Sequence, residues 1–344
     1  MGSDVTTSDP QPCDTMETSI ASHVAPATAR PLSLRVSAID LVAETIRVVE
    51  LVSADGASLP AFTAGAHINL KLPGDLSRSY SLTNGPMTQD RYTIAVNRDV
   101  ASRGGSAYIA DKLKVGDLLV VDPPHNTFPL VEEAELTAFF AGGIGITPIL
   151  AMIRKLEQLG QAWKLFYAAR SRASAAFVSE LEALEAQLPG RVHFHFDEVA
   201  GRVMPLLKLA ATVPKVAHLY CCGPAKMIQV FKASCGWRPQ DNVHVEHFAG
   251  TNARPTTAFT VVLKRQGKEF HVPAGESIMQ VLMDNGIAVA HSCREGVCGT
   301  CETRVLEGVP DHKDNVLSQR ERDSNSLILT CCSGAKSDRL VLDI

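Results

Sequence analysis

Three cysteines close together near the C-terminus, with a fourth downstream, constrain this chain more than any other feature. Cys293, Cys298 and Cys301 stand in the run HSCREGVCGTC, spaced C-x4-C-x2-C, and Cys331 follows in LILTCCSG. Four thiolates at this spacing hold a [2Fe–2S] cluster, and thiolates are the soft ligands that iron–sulfur chemistry needs. Gly296 and Gly299 let the backbone turn tightly round the cluster and aim N–H groups at its sulfurs. A zinc site is the first rival, but it favours paired C-x2-C units and only one exists here. Disulfides are the second, and nothing upstream reads as an export signal. A cluster of this kind carries one electron at a time, so electron transfer is the expected class of activity.

The 344 residues, 45% hydrophobic and 20% charged, supply enough chain for two or three domains. A net charge of -4 points to neither nucleic acid nor an anionic membrane. No apolar run reaches the roughly 18 residues of a membrane span. Residues 1–32 are small, polar and proline-containing, without the basic start and apolar stretch of a signal peptide, and read as a disordered tail. MGSDVT superficially fits a myristoylation signal, a weak motif that is set aside. Nine cysteines without an export signal imply a reducing cytoplasm. Beyond the four expected ligands stand Cys13, Cys221, Cys222, Cys235 and Cys332.

The pattern changes twice along the chain. Residues 33–131 read as short antiparallel strands punctuated by Pro73-Gly74, Asn84-Gly85-Pro86 and Gly116-Asp117, which predicts a β-barrel. Over 132–248, apolar strands such as ELTAFFAGG and WKLFYAARS alternate with amphipathic helices such as ITPILAMIRKLEQLG, as in a parallel nucleotide-binding sheet. Residues 249–257 break both patterns and read as a linker. Residues 258–344 give two strands, a helix around SIMQVLMDNG and the cysteine loop.

In the first segment, Arg78-Ser79-Tyr80-Ser81 offers a ring face and a cation, the two things a flavin phosphate ester needs. Alone, this is equally a strand with a surface arginine. Ser102-Arg103-Gly104-Gly105-Ser106 is a second piece, where glycines let backbone approach an anion and Arg103 and the Ser106 hydroxyl help. If AYIADKL forms a helix, its start favours a phosphate as well. A flexible turn is the bland alternative, and the two motifs together favour flavin. In the second segment, Gly142, Gly143, Gly145, Thr147 and Pro148 lie at a strand-to-helix junction suited to a pyrophosphate, although the run is not G-x-G-x-x-G. Cys222-Gly223-Pro224 ends another strand at the same sheet edge. Arg170, Ser171 and Arg172 follow WKLFYAA, where the adenosine ribose is expected, and leave NADH and NADPH both open. His193 and His195 alternate on one strand and read as solvent-facing histidines rather than a metal pair.

Taken in order, RSYSL, RGGS, AGGIGITP, YCCGP, CREGVCGTC and LVLDI resemble the phthalate dioxygenase reductase family, which includes vanillate demethylase reductases. The resemblance runs from about residue 33 to the end. It implies three domains: an antiparallel β-barrel for FMN, an α/β parallel-sheet domain for NADH, and an α+β plant-type ferredoxin domain. By the same resemblance, Arg78, Ser79, Tyr80 and Ser81 bind FMN; Ala95, Val96 and Asn97 line it; and Arg103 to Ser106 hold its phosphate. Thr147 touches it across the boundary. Gly142 to Pro148 and Cys222 to Pro224 bind the dinucleotide, and Phe248 sits beside the flavin. Cys331 is the fourth cluster ligand, and Cys332 departs from the apolar residue usual there. The implied activity is an NADH-dependent flavin and iron–sulfur oxidoreductase. Hydride goes to the flavin, single electrons to the cluster, and electrons onward to a terminal Rieske-type oxygenase acting on an aromatic acid or related compound. A diiron hydroxylase or a cytochrome is the alternative acceptor. Arg294, Glu295 and Arg304 are expected either to guide docking or to form an ordinary solvated face. A monomer is the expectation, although oligomeric state itself is not legible in the sequence.

Overall fold

A computed structural model describes residues 30–74, 76–250 and 253–344. Most of the segment read as a tail, with Cys13, lies outside the described residues. The first sheet is built from β1 (Leu32–Ala43), β2 (Ile46–Ser53), β3 (His67–Leu72), β4 (Leu76–Ser81), β5 (Tyr92–Asn97) and, after helix α1 (Gly105–Asp111), β6 (Leu118–His125). Its antiparallel order is β4-β3-β6-β1-β2-β5, and a bridge between Leu82 and Ile94 brings the two edges together into a barrel. Alternation explains the filling: Ile68, Leu70, Val49, Leu51, Ile94 and Val96 all point inward and are buried together.

The second unit runs β7 (Thr137–Gly142), α2 (Ile146–Leu159), β8 (Trp163–Ala169), α3 (Val178–Gln187), β9 (Val192–Phe196), α4 (Asp197–Ala200), α5 (Leu206–Thr212), β10 (His218–Cys222), α6 (Ala225–Ser234) and β11 (Val243–Glu246). All five strands are parallel, in the order β11-β10-β7-β8-β9. Strand order therefore reverses between β7 and β10, and ligands bind such sheets at that crevice. Gly160 stops α2 in the left-handed conformation, as its place in the sequence predicts.

The third unit comprises β12 (Phe259–Leu263), β13 (Lys268–Val272), α7 (Ile278–Asp284), β14 (Glu302–Glu307), β15 (Pro310–Asp311), α8 (Gln319–Ser324), β16 (Leu327–Leu329), β17 (Gly334–Ala335) and β18 (Arg339–Leu342). Its main sheet is mixed, β13-β12-β18-β14-β16, with Ser277 capping α7 through the Gln280 N–H. No described helix is long and apolar enough to cross a membrane. The expected linker is held against the third unit: Arg254 donates to the Cys331 carbonyl at 2.9 Å, and Pro255 packs on Gly334.

Candidate functional site

A cavity of about 290 Å³ opens where the barrel meets the carboxyl edge of the parallel sheet. Arg78, Ser79, Tyr80 and Ser81 line it from β4, Ala95 and Asn97 from β5, Arg103 from the turn before α1, Ser106 from the first turn of α1, and Thr147 from α2, with Phe248 completing the lining. Val96 does not join them. Its side chain is fully buried in the barrel core, because successive residues on a strand face opposite sides; this corrects the expected lining. Ser102 and Ile144, each part of a glycine-bearing motif, line the cavity as well, as do Asp99 and Ala101, which carry no recognisable sequence signal.

The Arg103–Ser106 loop is folded tightly beneath Arg78. Gly104 has φ +99°, and a Cβ on Gly105 would lie 2.6 Å from Arg78 Cγ. What the glycines admit here is therefore the Arg78 stem, whose guanidinium donates to the carbonyls of Ser77 (2.8 Å) and Arg103 (3.2 Å). The Ser106 hydroxyl donates to Ser102 Oγ at 3.0 Å and accepts from the Asp99 N–H, while Ser102 Oγ accepts from the N–H groups of Gly104 and Ala107. Ser102 thus organises the turn that carries Arg103 and Ser106. Arg103 forms a two-pronged ion pair with Glu295 of the cysteine loop. Burial pushes the Tyr80 hydroxyl up to about 12 against the pull of Arg78, so the phenol stays neutral. Phe248 is 41% exposed, an aromatic face open to the cavity. An aromatic wall with two guanidinium groups at one end fits a flavin mononucleotide.

At the sheet edge, two loops touch backbone to backbone. A Cβ on Gly142 would lie 2.5 Å from Met227 Sδ and 2.8 Å from Pro224 Cδ, and one on Gly145 would lie 2.2 Å from the Cys222 carbonyl oxygen. A Cβ on Gly223 would meet Gly142 Cα at 3.1 Å. Gly143, with φ +53°, is the member of the run that faces open space. Pro148 is buried in the first turn of α2. Cys222 points its thiol at the Glu246 carboxyl, 3.8 Å away and equally buried. Burial drives both groups up, Cys222 well above the usual thiol range and Glu246 to about 8. Glu246 was not anticipated: it ends the four-residue strand VHVE, too short to stand out by periodicity. Arg170 is exposed at the end of β8, and the Ser171 N–H donates to Ser174 Oγ at 3.0 Å. Arg172 is engaged by both oxygens of Glu182, at 2.6 and 2.7 Å. His193 stacks on Phe166, and His195 meets the Arg202 carbonyl.

The four expected ligands fall into two pairs. Cys293 hydrogen-bonds Cys298, and Cys331 hydrogen-bonds Cys301. Two thiolates for each of two irons is the ligand set of a [2Fe–2S] cluster. Hydrogen bonding to Cys298 and burial hold the Cys293 thiol well above its ordinary range, and hydrogen bonds to Cys301 and Cys332 do the same for Cys331. Cys298, which accepts from Cys293, is drawn down to about 7. The Glu295 N–H is aimed at Cys293 Sγ at 3.3 Å, and Gly296 and Gly299 both have φ above +70°. A Cβ on Gly296 would sit 2.6 Å from Cys332 Sγ, so Cys332 packs behind the loop. These donors fit a [2Fe–2S] cluster.

The cysteine loop rests on the outer face of the barrel. Ser292 Oγ lies 2.7 Å from Ser77 Oγ, and Thr300 Oγ1 accepts from Asn69 Nδ2 at 3.3 Å. A Cβ on Gly299 would lie 2.7 Å from Thr127 Cγ2 and 2.9 Å from His125 Nε2. His67 is 4% exposed beneath the loop, and burial drives its pKa down to about 3. A cavity fit for flavin thus has the nicotinamide edge on one side and the cysteine loop on the other, the arrangement of an electron-transfer reductase.

Comparison with known proteins places that class more closely. Residues 261–336 match the 2Fe-2S iron-sulfur cluster binding domain, and residues 139–233 match the oxidoreductase NAD-binding domain. The chain is 48% identical over 317 residues to tetrachlorobenzoquinone reductase of Sphingobium chlorophenolicum, covering 91% of this chain and 98% of that one. It is 44% identical over 321 residues to phenoxybenzoate dioxygenase subunit beta of Ectopseudomonas oleovorans, covering 93% and 99%. The solved structure of phthalate dioxygenase reductase, described as modular for electron transfer from pyridine nucleotides to [2Fe-2S], matches with TM-score 0.67 at 38% identity over 91% and 98% of the two chains. The chain belongs to the phthalate dioxygenase reductase family. Its cofactors are FMN, NADH and a [2Fe–2S] cluster, and it is an oxidoreductase.

Proposed function

We propose that this chain is the reductase component of a two-part oxygenase system, drawing electrons from NADH and delivering them to a terminal Rieske-type oxygenase. The oxygenase would act on an aromatic acid or an aryl ether. The observation that carries the reading is the placement of the cavity between the nicotinamide edge and the cysteine loop. Bound FMN and the cluster supply the conversion of one hydride into two single-electron deliveries. The chain's own residues supply position. Arg78 and Arg103 stand at the phosphate end of the cavity, Tyr80 and Phe248 offer faces to the ring, and Thr147 reaches it from α2. Gly143 leaves open space where the dinucleotide approaches, and Glu246 and Cys222 keep that edge uncharged near neutral pH. Cys293, Cys298, Cys301 and Cys331 would hold the cluster, and the chain would work as a monomer in the cytoplasm.

A second reading comes from the quinone reductase among the relatives: direct reduction of a small quinone at the flavin. One experiment separates the two. The visible spectrum of the purified protein is recorded anaerobically before and after NADH, for wild type and Cys298→Ser. Wild type bleaches in both flavin and iron–sulfur bands. Cys298→Ser lacks cluster bands but keeps NADH-dependent flavin bleaching and loses at least 100-fold in delivery to a Rieske oxygenase, on the order of 3 kcal/mol in barrier. Equal delivery by the variant to the oxygenase and to benzoquinone sinks the oxygenase reading, and full cluster absorbance in the variant sinks the ligand assignment.

A further inference from the structure

A line of three polar side chains joins the flavin cavity to a cluster ligand. Ser79, which lines the cavity, donates its hydroxyl to Asn69 Oδ1 at 2.6 Å. Asn69 Nδ2 donates to Thr300 Oγ1 at 3.3 Å, and Thr300 Oγ1 lies 3.3 Å from Cys298 Sγ. The two distances at Asn69 match its assigned orientation, the shorter for O–H···O and the longer for N–H···O. A hydroxyl has one hydrogen. Because Thr300 accepts from Asn69, that hydrogen is left for the Cys298 sulfur, and the whole line points one way, from cavity to cluster.

Asn69 is only 2% exposed although it lies on the face of β3 opposite the barrel core. The cysteine loop is what covers it. The amide therefore belongs to the barrel and the hydroxyl it orients belongs to the cluster unit, so the arrangement exists only while the two are docked. A hydrogen bond donated to a ligand sulfur favours the reduced, more negative cluster and raises its potential.

We propose that Asn69 is a positioning residue that holds the Thr300 hydroxyl on Cys298, making the cluster a better electron acceptor while it is docked on the barrel. When the cysteine loop leaves Asn69, the Thr300 hydroxyl is free to turn to water and the cluster becomes a better donor. One electron enters the cluster in the docked state and the same electron leaves to the acceptor after release. The barrel thereby gives the transfer a direction that neither unit has alone. This deepens the reductase reading and rests on it.

The test is an EPR-monitored redox titration of the cluster in the full-length, cofactor-loaded protein. Asn69→Leu and Thr300→Val each shift the midpoint potential downward, Thr300→Ser stays at the wild-type value, and Asn69→Leu with Thr300→Val shifts no further than Thr300→Val alone. Asn69→Ala, which removes the N–H without adding a charge, replaces Asn69→Leu if that variant does not fold; its shift likewise vanishes in the Thr300→Val background. A wild-type potential in a cluster-loaded Asn69 variant overturns the proposal, as does full additivity with Thr300→Val. A wild-type protein with neither flavin nor cluster bands sinks the reductase reading instead, so the two failures are distinct.

Discussion

The barrel makes two interfaces of opposite character. Toward the parallel sheet, Ile46, Ala64, Ala95 and Phe128 join one continuous buried cluster with Ile146, Ile149, Leu150 and Met152 of α2 and with Tyr220. Toward the cysteine loop, the hydrogen bonds and ion pair are Ser77 with Ser292, Asn69 with Thr300, and Arg103 with Glu295, beside the packing of Gly299 on Thr127 and His125. An apolar interface of the first kind loses its driving force if the parts separate. Polar groups of the second kind exchange their partners for water at little net loss. The geometry between the nicotinamide edge and the flavin cavity is thus set by a core, whereas the cluster unit is docked by contacts suited to release. A reductase needs both: a fixed hydride distance, and a carrier face that can meet another protein.

The hardest way to break this contrast is to hollow out the apolar side. Phe128 is 3% exposed and meets the Tyr220 ring at a centroid distance of 5.4 Å. Phe128→Ala should cost about 3–5 kcal/mol. Thermal melts followed by flavin fluorescence should shift far down, while cluster absorbance melts close to its wild-type temperature. Equal shifts in both signals would mean that all three units unfold as one and that the contrast is only chemical.

A milder change sharpens the picture of the sheet edge. Unfolded, Glu246 ionises near 4.5; folded, its pKa is about 8, because burial outweighs the hydrogen bond from Cys222. As pH rises from 4.5 the unfolded chain releases this proton first, so the contribution falls across the window up to about 8 and is complete only below 4.5. At about 1.4 kcal/mol per pH unit the loss amounts to a few kcal/mol. Glu246→Gln should flatten the stability profile between those limits in urea titrations at stepped pH. An unchanged slope would place the proton elsewhere at this edge.

The apolar interface was open to sequence reading and the polar one was not, for a physical reason. The strands HINLKL and YTIAVN and the helix ITPILAMIRKLEQL announce themselves by period, and the cysteines by spacing. The cavity residues Arg78 to Ser81 came from short motifs whose context the fold supplies. By contrast, Asn69 and His67 look like the outward half of an alternating strand, and alternation alone predicts water on that side. They are 2% and 4% exposed because a unit more than 200 residues later in the chain covers them, as the Asn69–Thr300 separation of 231 shows. Glu295 reads from sequence as either a docking charge or part of a solvated face, and nothing local signals that it pairs with Arg103 of the same chain. Val96 stands between two cavity-lining residues in sequence, but the pleat turns its side chain into the barrel core.

Arg103 and Glu295 offer the smallest and most selective test. The Arg103 side chain is 62% exposed and that of Glu295 17%, so solvent screens the pair and it contributes below about 1 kcal/mol to stability. Glu295→Gln should therefore leave thermal melts almost unmoved. Its effect should appear in two other measurements. Flavin-to-cluster transfer, followed by stopped flow, should lose most of its dependence on ionic strength, because salt at 0.1 M screens charges beyond about 10 Å and this is an exposed ion pair across the docking face. FMN affinity, read by fluorescence, should tighten a few-fold, since Arg103 also lines the phosphate end of the cavity and a guanidinium engaged by a carboxylate is less available to a phosphate. Weaker FMN binding in Glu295→Gln would reverse the assignment: Glu295 would then be holding Arg103 in place for the flavin, and the polar interface would belong to cofactor binding as much as to docking.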